Sequence, residues 1–469
     1  MAWTLDPDRC FSPVPSVRAR ARELYEGVRG LPLVSPHGHV PPELLADESA
    51  RFSDPASLFI VPDHYVFRML YSQGVPLESL GVPTLDGTPV EKDPRQIWRT
   101  FCAHFHLFDG TPTGLWLKSE LIELFGLDVR PSPETADATY DHLAACLAED
   151  SFRPRALFER FGIEVLATTD AATDDLAPHA AAQRDGLPVV PTFRPDALLA
   201  TADEAWPDRL RLLEERAGMA VEDLGSFLEA VRRRRQHFRQ LGATASDHGV
   251  ADTFVRSLER SEAEVLFDKA LKRTIDQDEA TRLASHLLFE MAGMAAEDGL
   301  VMQLHVGSFR NHNQRVFQRF GADKGADMPV SVDWTRGLHA LLNAFGQDER
   351  FRLILFTLDE STYGRELAPL AGHYPAVRLG APWWFFDSLL GFQRYLDAVV
   401  ETAGVYNLAG FVDDTRAFPS IPARHDVWRR AVCSWLAEKV EWGVIDEESA
   451  PRMARWLAYE APKDAYRLG

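Results

Sequence analysis

The sequence predicts an α/β fold, a (β/α)8 TIM-type barrel with a helical insertion after the first strand. Eight short apolar or β-branched runs are spread along the 469 residues, each ending in polar residues. Between them lie segments whose apolar residues recur at three- and four-residue steps, as amphipathic helices require. One gap between runs is far longer than the rest and has helical patterning of its own. Strand and helix in alternation argue for a parallel sheet, and eight such units close into a barrel.

In chain order the runs are LPLVSPHGH (31–39), EVLATTD (164–170), PVVPTFRPD (188–196), GATASDH (242–248), LVMQLHVG (300–307), RLILFTLDE (352–360), AVRLGAPWW (376–384) and NLAGFVDDTR (407–416). The long gap separates the first two. A structureless loop of that size is implausible in a compact fold. DPASLFIVPDHYVFRMLYSQG, DPRQIWRTFCAHFHLF, PTGLWLKSELIELFGL and ADATYDHLAACLAED read instead as helices joined by Pro and Gly turns. The barrel is therefore assigned to 1–39 and 155–469, and the insert to 40–154, carried on the first βα connection. The run RRRR at 232–235 reads as a solvated helix face.

Composition narrows the function. The 46% hydrophobic and 26% charged residues are those of an ordinary globule with ample core. With 70 acidic against 50 basic residues and a net charge of -20, binding to a phosphate backbone is disfavoured, so nucleic acid is not an expected partner. Cys10, Cys102, Cys146 and Cys433 show no C-x-x-C spacing, which fits a reducing compartment. The start, MAWTLDPDRCFSPVP, lacks the basic and apolar regions of a signal peptide, and no run is long enough for a membrane span. A cytoplasmic protein without membrane contact is expected.

Barrel enzymes build their sites at the C-terminal strand ends. The first run ends in His37 and His39; on a strand, side chains at i and i+2 leave the same face about 6.6 Å apart. Chance alone supplies roughly half of one His-x-His pair in such a chain, and a second pair, His104 and His106, sits within the helical insert. At helical spacing that second pair does not share a face. The eighth run offers Asp413, Asp414 and Arg416, and in a closed barrel it neighbours the first. Two imidazoles and a carboxylate with open positions suit Zn2+, with Mn2+ and Fe2+ as open alternatives. Arg194, His305 and Arg310 stand at other ends, where Arg forks suit a carboxylate. Asp247 and His248 close the fourth run, Trp383 and Trp384 the seventh.

These residues resemble those of the bacterial uronate isomerase (glucuronate isomerase) family, a branch of the amidohydrolase superfamily. The resemblance covers nearly the whole chain and rests on HGHVPPELLADE, DHYVFRML, ATTDAATDDL, PTFRPDALL, TASDH, HVGSFRNHNQRVF, APWWFFD and FVDDTRAFPSIPARHDVWRRAVC. It implies that His37, His39 and Asp414 hold one divalent metal ion, with Arg416 beside Asp414. Tyr65, from the insert, would line the substrate pocket with Arg194, Asp247, His305, Arg310 and, of the two tryptophans, Trp384. Superfamily members commonly carry Asp two residues before the first His, where this chain has Ser35, a departure that bears on metal affinity. No Lys stands at a strand end, which argues against a binuclear, Lys-bridged site.

The implied reaction interconverts D-glucuronate with D-fructuronate, and D-galacturonate with D-tagaturonate. A proton moves from C2 to C1 through an enediol after ring opening. Asp414 is expected near C2, with Arg416 next to it, while Tyr65 and His305 handle protons on oxygen. Arg194 or Arg310 would hold the C6 carboxylate. The partner is then a small hexuronate, with a homo-oligomer left open. A mononuclear metal-dependent hydrolase is the rival activity, since the same trio can activate water; a sugar-acid binding protein that lost its chemistry is the rival from another class.

Overall fold

The computed structural model describes residues 2–250 and 253–469. Among the described residues eleven strands occur, in chain order: β1 (Leu33–Ser35), β2 (Ile163–Ala167), β3 (Asp170–Ala171), β4 (Val189–Val190), β5 (Phe193–Arg194), β6 (Ala245–Val250), β7 (Val301–Val306), β8 (Ser308–Phe309), β9 (Met328–Pro329), β10 (Leu353–Phe356) and β11 (Val377–Leu379). All pairings are parallel except the β8–β9 hairpin. One sheet has the order β1-β2-β4 and another β11-β10-β7-β6-β5-β3. The two are joined through shared segments, because β2 runs on into β3 and β4 into β5: Thr192 N–H donates to Thr168 O, and Asp170 N–H to Thr192 O, both at 3.0 Å.

The first and eighth runs depart from the expected strands. Pro36 has no N–H for a ladder, so β1 is short and His37 and His39 stand on the loop just beyond it. The eighth run makes only an isolated parallel bridge, Leu379 to Leu408. Gly410 at φ 75° and Asp414 at φ 45° interrupt its extended backbone. It is nonetheless tied on both sides: Ala409 N–H donates to Leu379 O at 2.7 Å, and His39 N–H to Thr415 O at 2.9 Å.

Between β1 and β2 the chain forms short helices, among them Pro55–Phe59, His64–Ser72, Pro94–Ala103, Pro112–Ser119 and Ala136–Ala148. Most of their buried apolar side chains pack in a second cluster, shared with Leu33, Leu166 and Val189 of β1, β2 and β4. Tyr65 and Trp116 are exceptions that reach the core around the strands. His104 and His106 lie here, their rings 6.5 Å apart and nearly parallel, closer than helical spacing suggests because the helix Pro94–Ala103 ends before them.

The arginine run at 232–235 is not a solvated face. In the helix Leu224–Gln240, Arg235 is 1% exposed and forks onto Asp298 at 2.6 and 3.0 Å, while Arg234 donates to the carbonyls of Ala172 and Asp174. Each helical step turns a side chain by about 100°, so four consecutive residues cannot share one side. No helix among the described residues is long and apolar enough to cross a membrane.

Candidate active site

His37 and His39 converge on one oxygen. Their Nε2 atoms lie 3.5 and 3.1 Å from Asp414 Oδ1. Proximity follows from the backbone, since Asp414 N–H donates to His37 O at 3.3 Å beside the His39–Thr415 bond. Behind them the His37 ring stacks on His305 at 4.6 Å, and His305 on Phe356 at 4.2 Å. His305 Nδ1 bonds Asp247 Oδ1 at 2.6 Å, and its Nε2 has no hydrogen-bond partner among the described residues.

Around these groups is a cavity of about 300 Å³ lined also by Arg194, Arg310, Arg416, Asn311, Asp323, Trp383 and Trp384, at the small end of ligand sites. A larger and more apolar cavity, about 680 Å³, lies behind the Arg194–Asp196 pair. Size alone would select the larger one. Only the smaller brings imidazoles, carboxylates and arginines together, so it is the candidate site.

Its arginines are held in place. Arg194 Nε meets Asp196 at 2.8 Å and its Nη1 lies 3.4 Å from Asp247. Arg310 pairs with Asp327 at 2.7 Å, and Arg416 approaches Asp323 at 3.4 Å. The β8–β9 hairpin brackets the loop that carries Arg310, Asn311 and Asp323. Eight non-glycine residues have positive φ among those described, and Asn311, Asp323, Trp384 and Asp414 are four of them. Strain of this kind persists only where surroundings over-determine it.

Electrostatics sort the titratable groups. Burial favours a protonated Asp414, yet hydrogen bonds from His37 and His39 hold it well below the usual carboxylate range. Burial also opposes charge on His37, but Asp414 and Asp247 raise it above an ordinary imidazole. His39 is pushed down to about 4 by burial, with Arg416 adding to the effect. Asp247 is buried too; the facing His305 and Arg194 nevertheless drive it well below its ordinary value. Burial lowers His305.

Two trios of donor atoms lie within 4.8 Å of one another among the described residues: His37, His39 and Asp414, and His37, Asp247 and His305. The first fits a divalent metal on its own chemistry: two imidazoles and a carboxylate, His37 and Asp414 buried and His39 partly so, with no lysine or arginine among the three.

The sequence-derived residues are not all at the surface of this cavity. His37, His39, Asp414, Arg416, His305, Asp247, Arg194, Arg310 and Trp384 line it; Tyr65 does not. Asp63 caps the helix His64–Ser72 by accepting Tyr65 N–H at 2.8 Å. That start directs His64 to the cavity, its ring 4.1 Å from Trp384. Tyr65 turns behind the wall, where its hydroxyl donates to Trp384 O at 3.1 Å. His64, Thr169, Asn311 and Asp323 line the cavity without having been singled out. His64 was adjacent to a singled-out residue, whereas Asp323 lay in GADKGAD, which reads as an ordinary loop.

Comparison with known proteins places these residues in context. A family profile described as glucuronate isomerase matches residues 16–466. A uronate isomerase of Nostoc punctiforme is 53% identical over 99% of this chain and 98% of its own length. One from Rhizobium meliloti is 51% identical over the whole of both. The crystal structure of glucuronate isomerase from Caulobacter crescentus superposes with a TM-score of 0.97 at 46% identity, covering 100% of this chain and 98% of that one. Uronate isomerase from Thermotoga maritima superposes with a TM-score of 0.91 at 28% identity, covering 99% of each.

Proposed function

Since the chain belongs to the glucuronate isomerase family, we propose that it is an aldose-ketose isomerase of hexuronates, interconverting D-glucuronate with D-fructuronate and D-galacturonate with D-tagaturonate. The observation that carries this reading is one small polar cavity holding an ionised carboxylate, a carboxylate-backed imidazole and three restrained arginines.

Moving a proton from C2 to C1 requires a base beside C2 and a group that exchanges protons with oxygen. Asp414, kept ionised by its histidine neighbours, takes the C2 proton. His305 serves the oxygens: Asp247 accepts its Nδ1–H and so leaves the unpartnered Nε2 to face the reacting carbons. Arg194 and Arg310 capture the C6 carboxylate and set which end of the chain meets Asp414. Arg416 stands beside Asp414 and opposes negative charge building on the enediol. Tyr65 acts through Trp384, whose carbonyl it holds.

His37, His39 and Asp414 would hold the divalent ion, taken as Zn2+. When bound, such an ion supplies Lewis-acid polarisation of a substrate oxygen. Residues 40–154 are assigned to a helical insert on the first βα connection, which brings His64 to the cavity and Tyr65 behind its wall.

Proton NMR in deuterated water with D-glucuronate and with D-galacturonate tests the proposal. Ketose signals with no bond cleaved are expected, with deuterium entering the transferred position to the extent that Asp414 exchanges with solvent. Hydrolytic products, or binding without conversion, would overturn it.

A further inference from the structure

One buried side chain, Arg424, bonds groups that adjoin two of the cavity's positive-φ residues. We propose that Arg424 is a positioning residue that keeps both Asp414 and Trp384 in their left-handed conformations. It lines no part of the cavity, and the inference rests on the functional reading above.

Arg424 lies in the helix Ser420–Glu441, which follows the eighth run, and is 2% exposed. Its Nη1 donates to Asp413 O at 3.0 Å and to Asp387 Oδ2 at 3.0 Å. The first bond bears directly on Asp414. Changing φ at Asp414 swings the peptide between residues 413 and 414, and a donor fixed on the Asp413 carbonyl resists that swing. The φ of 45° at Asp414 lies in the left-handed region, which Asp enters more readily than most L-residues but still at a cost, so a donor fixed on the preceding carbonyl favours that state.

The second bond leads to the tryptophan. Asp387 closes the short turn Trp384–Phe386, and Tyr65 hydroxyl reaches both Asp387 Oδ2 at 3.4 Å and Trp384 O at 3.1 Å. This fixes the peptide that leaves Trp384 and so restrains ψ of that residue, whose φ is 60°. The guanidinium itself is clamped: its centre is 3.7 Å from the Trp116 ring centroid and 4.8 Å from that of Tyr65. One cation thus joins the helix after the eighth run, the turn after the seventh and two aromatics of the insert. Loss of Asp387 should release only the tryptophan arm, and loss of Arg424 should release both.

The test compares Arg424→Met, Arg424→Lys and Asp387→Asn in the full chain, with Zn2+ affinity read by chelator competition and steady-state kinetics on D-glucuronate. Arg424→Met should weaken Zn2+ binding at least tenfold and lower kcat at least thirtyfold. Arg424→Lys, able to reach one acceptor at a time, should fall between Arg424→Met and the parent. Asp387→Asn should raise KM about tenfold and leave Zn2+ affinity within threefold of the parent. Zn2+ affinity and kcat within threefold of the parent in Arg424→Lys, or equal losses of Zn2+ affinity in Asp387→Asn and the Arg424 variants, would overturn the proposal. A parent that binds Zn2+ but leaves uronates unchanged would sink the functional reading alone, because the Zn2+ arm still reads the bracing.

Discussion

Gly249→Ala offers a direct test of the anion-holding role proposed for Arg194 and Arg310. Gly249 lies in β6, and a Cβ built there falls 2.6 Å from Arg194 Nη2, 3.1 Å from Asp196 Oδ2 and 3.4 Å from Arg310 Nη2. Ordinary contact begins near 3.4 Å, so the Arg194 fork must retreat by roughly 0.8 Å, a displacement of the size that costs up to about a hundredfold when it misplaces a reacting group. It cannot swing freely, because Asp196 and Asp247 hold it at 2.8 and 3.4 Å. Gly249 N–H also donates to Asp196 at 3.0 Å, so that carboxylate cannot yield without losing its own bond. Overpacking of this kind costs about 1–3 kcal/mol, and because the displaced atom ends a long side chain the fold itself should survive. We expect kcat/KM on D-glucuronate to fall between about tenfold and a hundredfold, mostly through KM, which corresponds to about 1.4–2.7 kcal/mol. Gly293→Ala serves as the control, since its Cβ meets only Phe345 Cζ at 3.6 Å inside the helix Gln277–Asp298. That variant should keep its activity and gain up to about 1 kcal/mol of stability. Initial rates decide the matter: kcat/KM for Gly249→Ala within twofold of the parent would refute the placement of Arg194 and Arg310 on the substrate.

Arg194→Lys keeps the charge but loses the fork; with charged hydrogen bonds worth about 1.5–3 kcal/mol, kcat/KM should drop at least tenfold, and near-parent rates would remove the assignment. Asp298→Ala strands the buried guanidinium of Arg235 and should lower unfolding free energy by about 3 kcal/mol in urea melts, with activity intact at room temperature. Burial raises Asp170 from 3.8 to about 7 in the folded chain, so the native state binds the extra proton and Asp170 costs more stability as pH rises through that window. The parent minus Asp170→Asn difference in unfolding free energy should therefore fall by about 1.4 kcal/mol per pH unit between about pH 4 and 7. A flat difference would contradict a carboxyl buried in its neutral form. Both proteins are compared in a His179→Gln background, because His179, lowered to about 4 by burial, lies 3.6 Å from Asp170 and gives a slope of the opposite sign.

The central strands were legible because both of their faces are covered. Val301–Val306 and Leu353–Phe356 are buried at every position, and such strands appear in sequence as unbroken apolar runs. The first and eighth runs gave a weaker match for a local reason. Pro36 denies one of them a donor, and positive φ at Gly410 and Asp414 bends the other out of a ladder. These two runs deliver His37, His39 and Asp414, so the backbone is least regular where the candidate metal ligands must meet. Their meeting was inferable only from topology, because nothing local to residue 37 points to residue 414.

Helical side chains were harder to place, and one cause accounts for the misplaced ones. Which of His64 and Tyr65 faces the cavity depends on how their helix is rotated, and that rotation goes with the packing of the helices between β1 and β2 against the strands. Periodicity identifies the apolar face of a helix but is silent on a polar residue whose partner lies on another element. The same silence covers Arg234, Arg235 and Arg424, each buried against carbonyls or carboxylates supplied from far along the chain. A sequence scale counts each of them as solvent-facing. In this fold, however, a burial-tolerant cation that presents several donors at fixed angles is what can tie a strained loop to a rigid helix. Arginines close after a predicted site run therefore deserve to be read as candidate braces before they are read as surface, and the Arg424 variants measure whether that rule holds here.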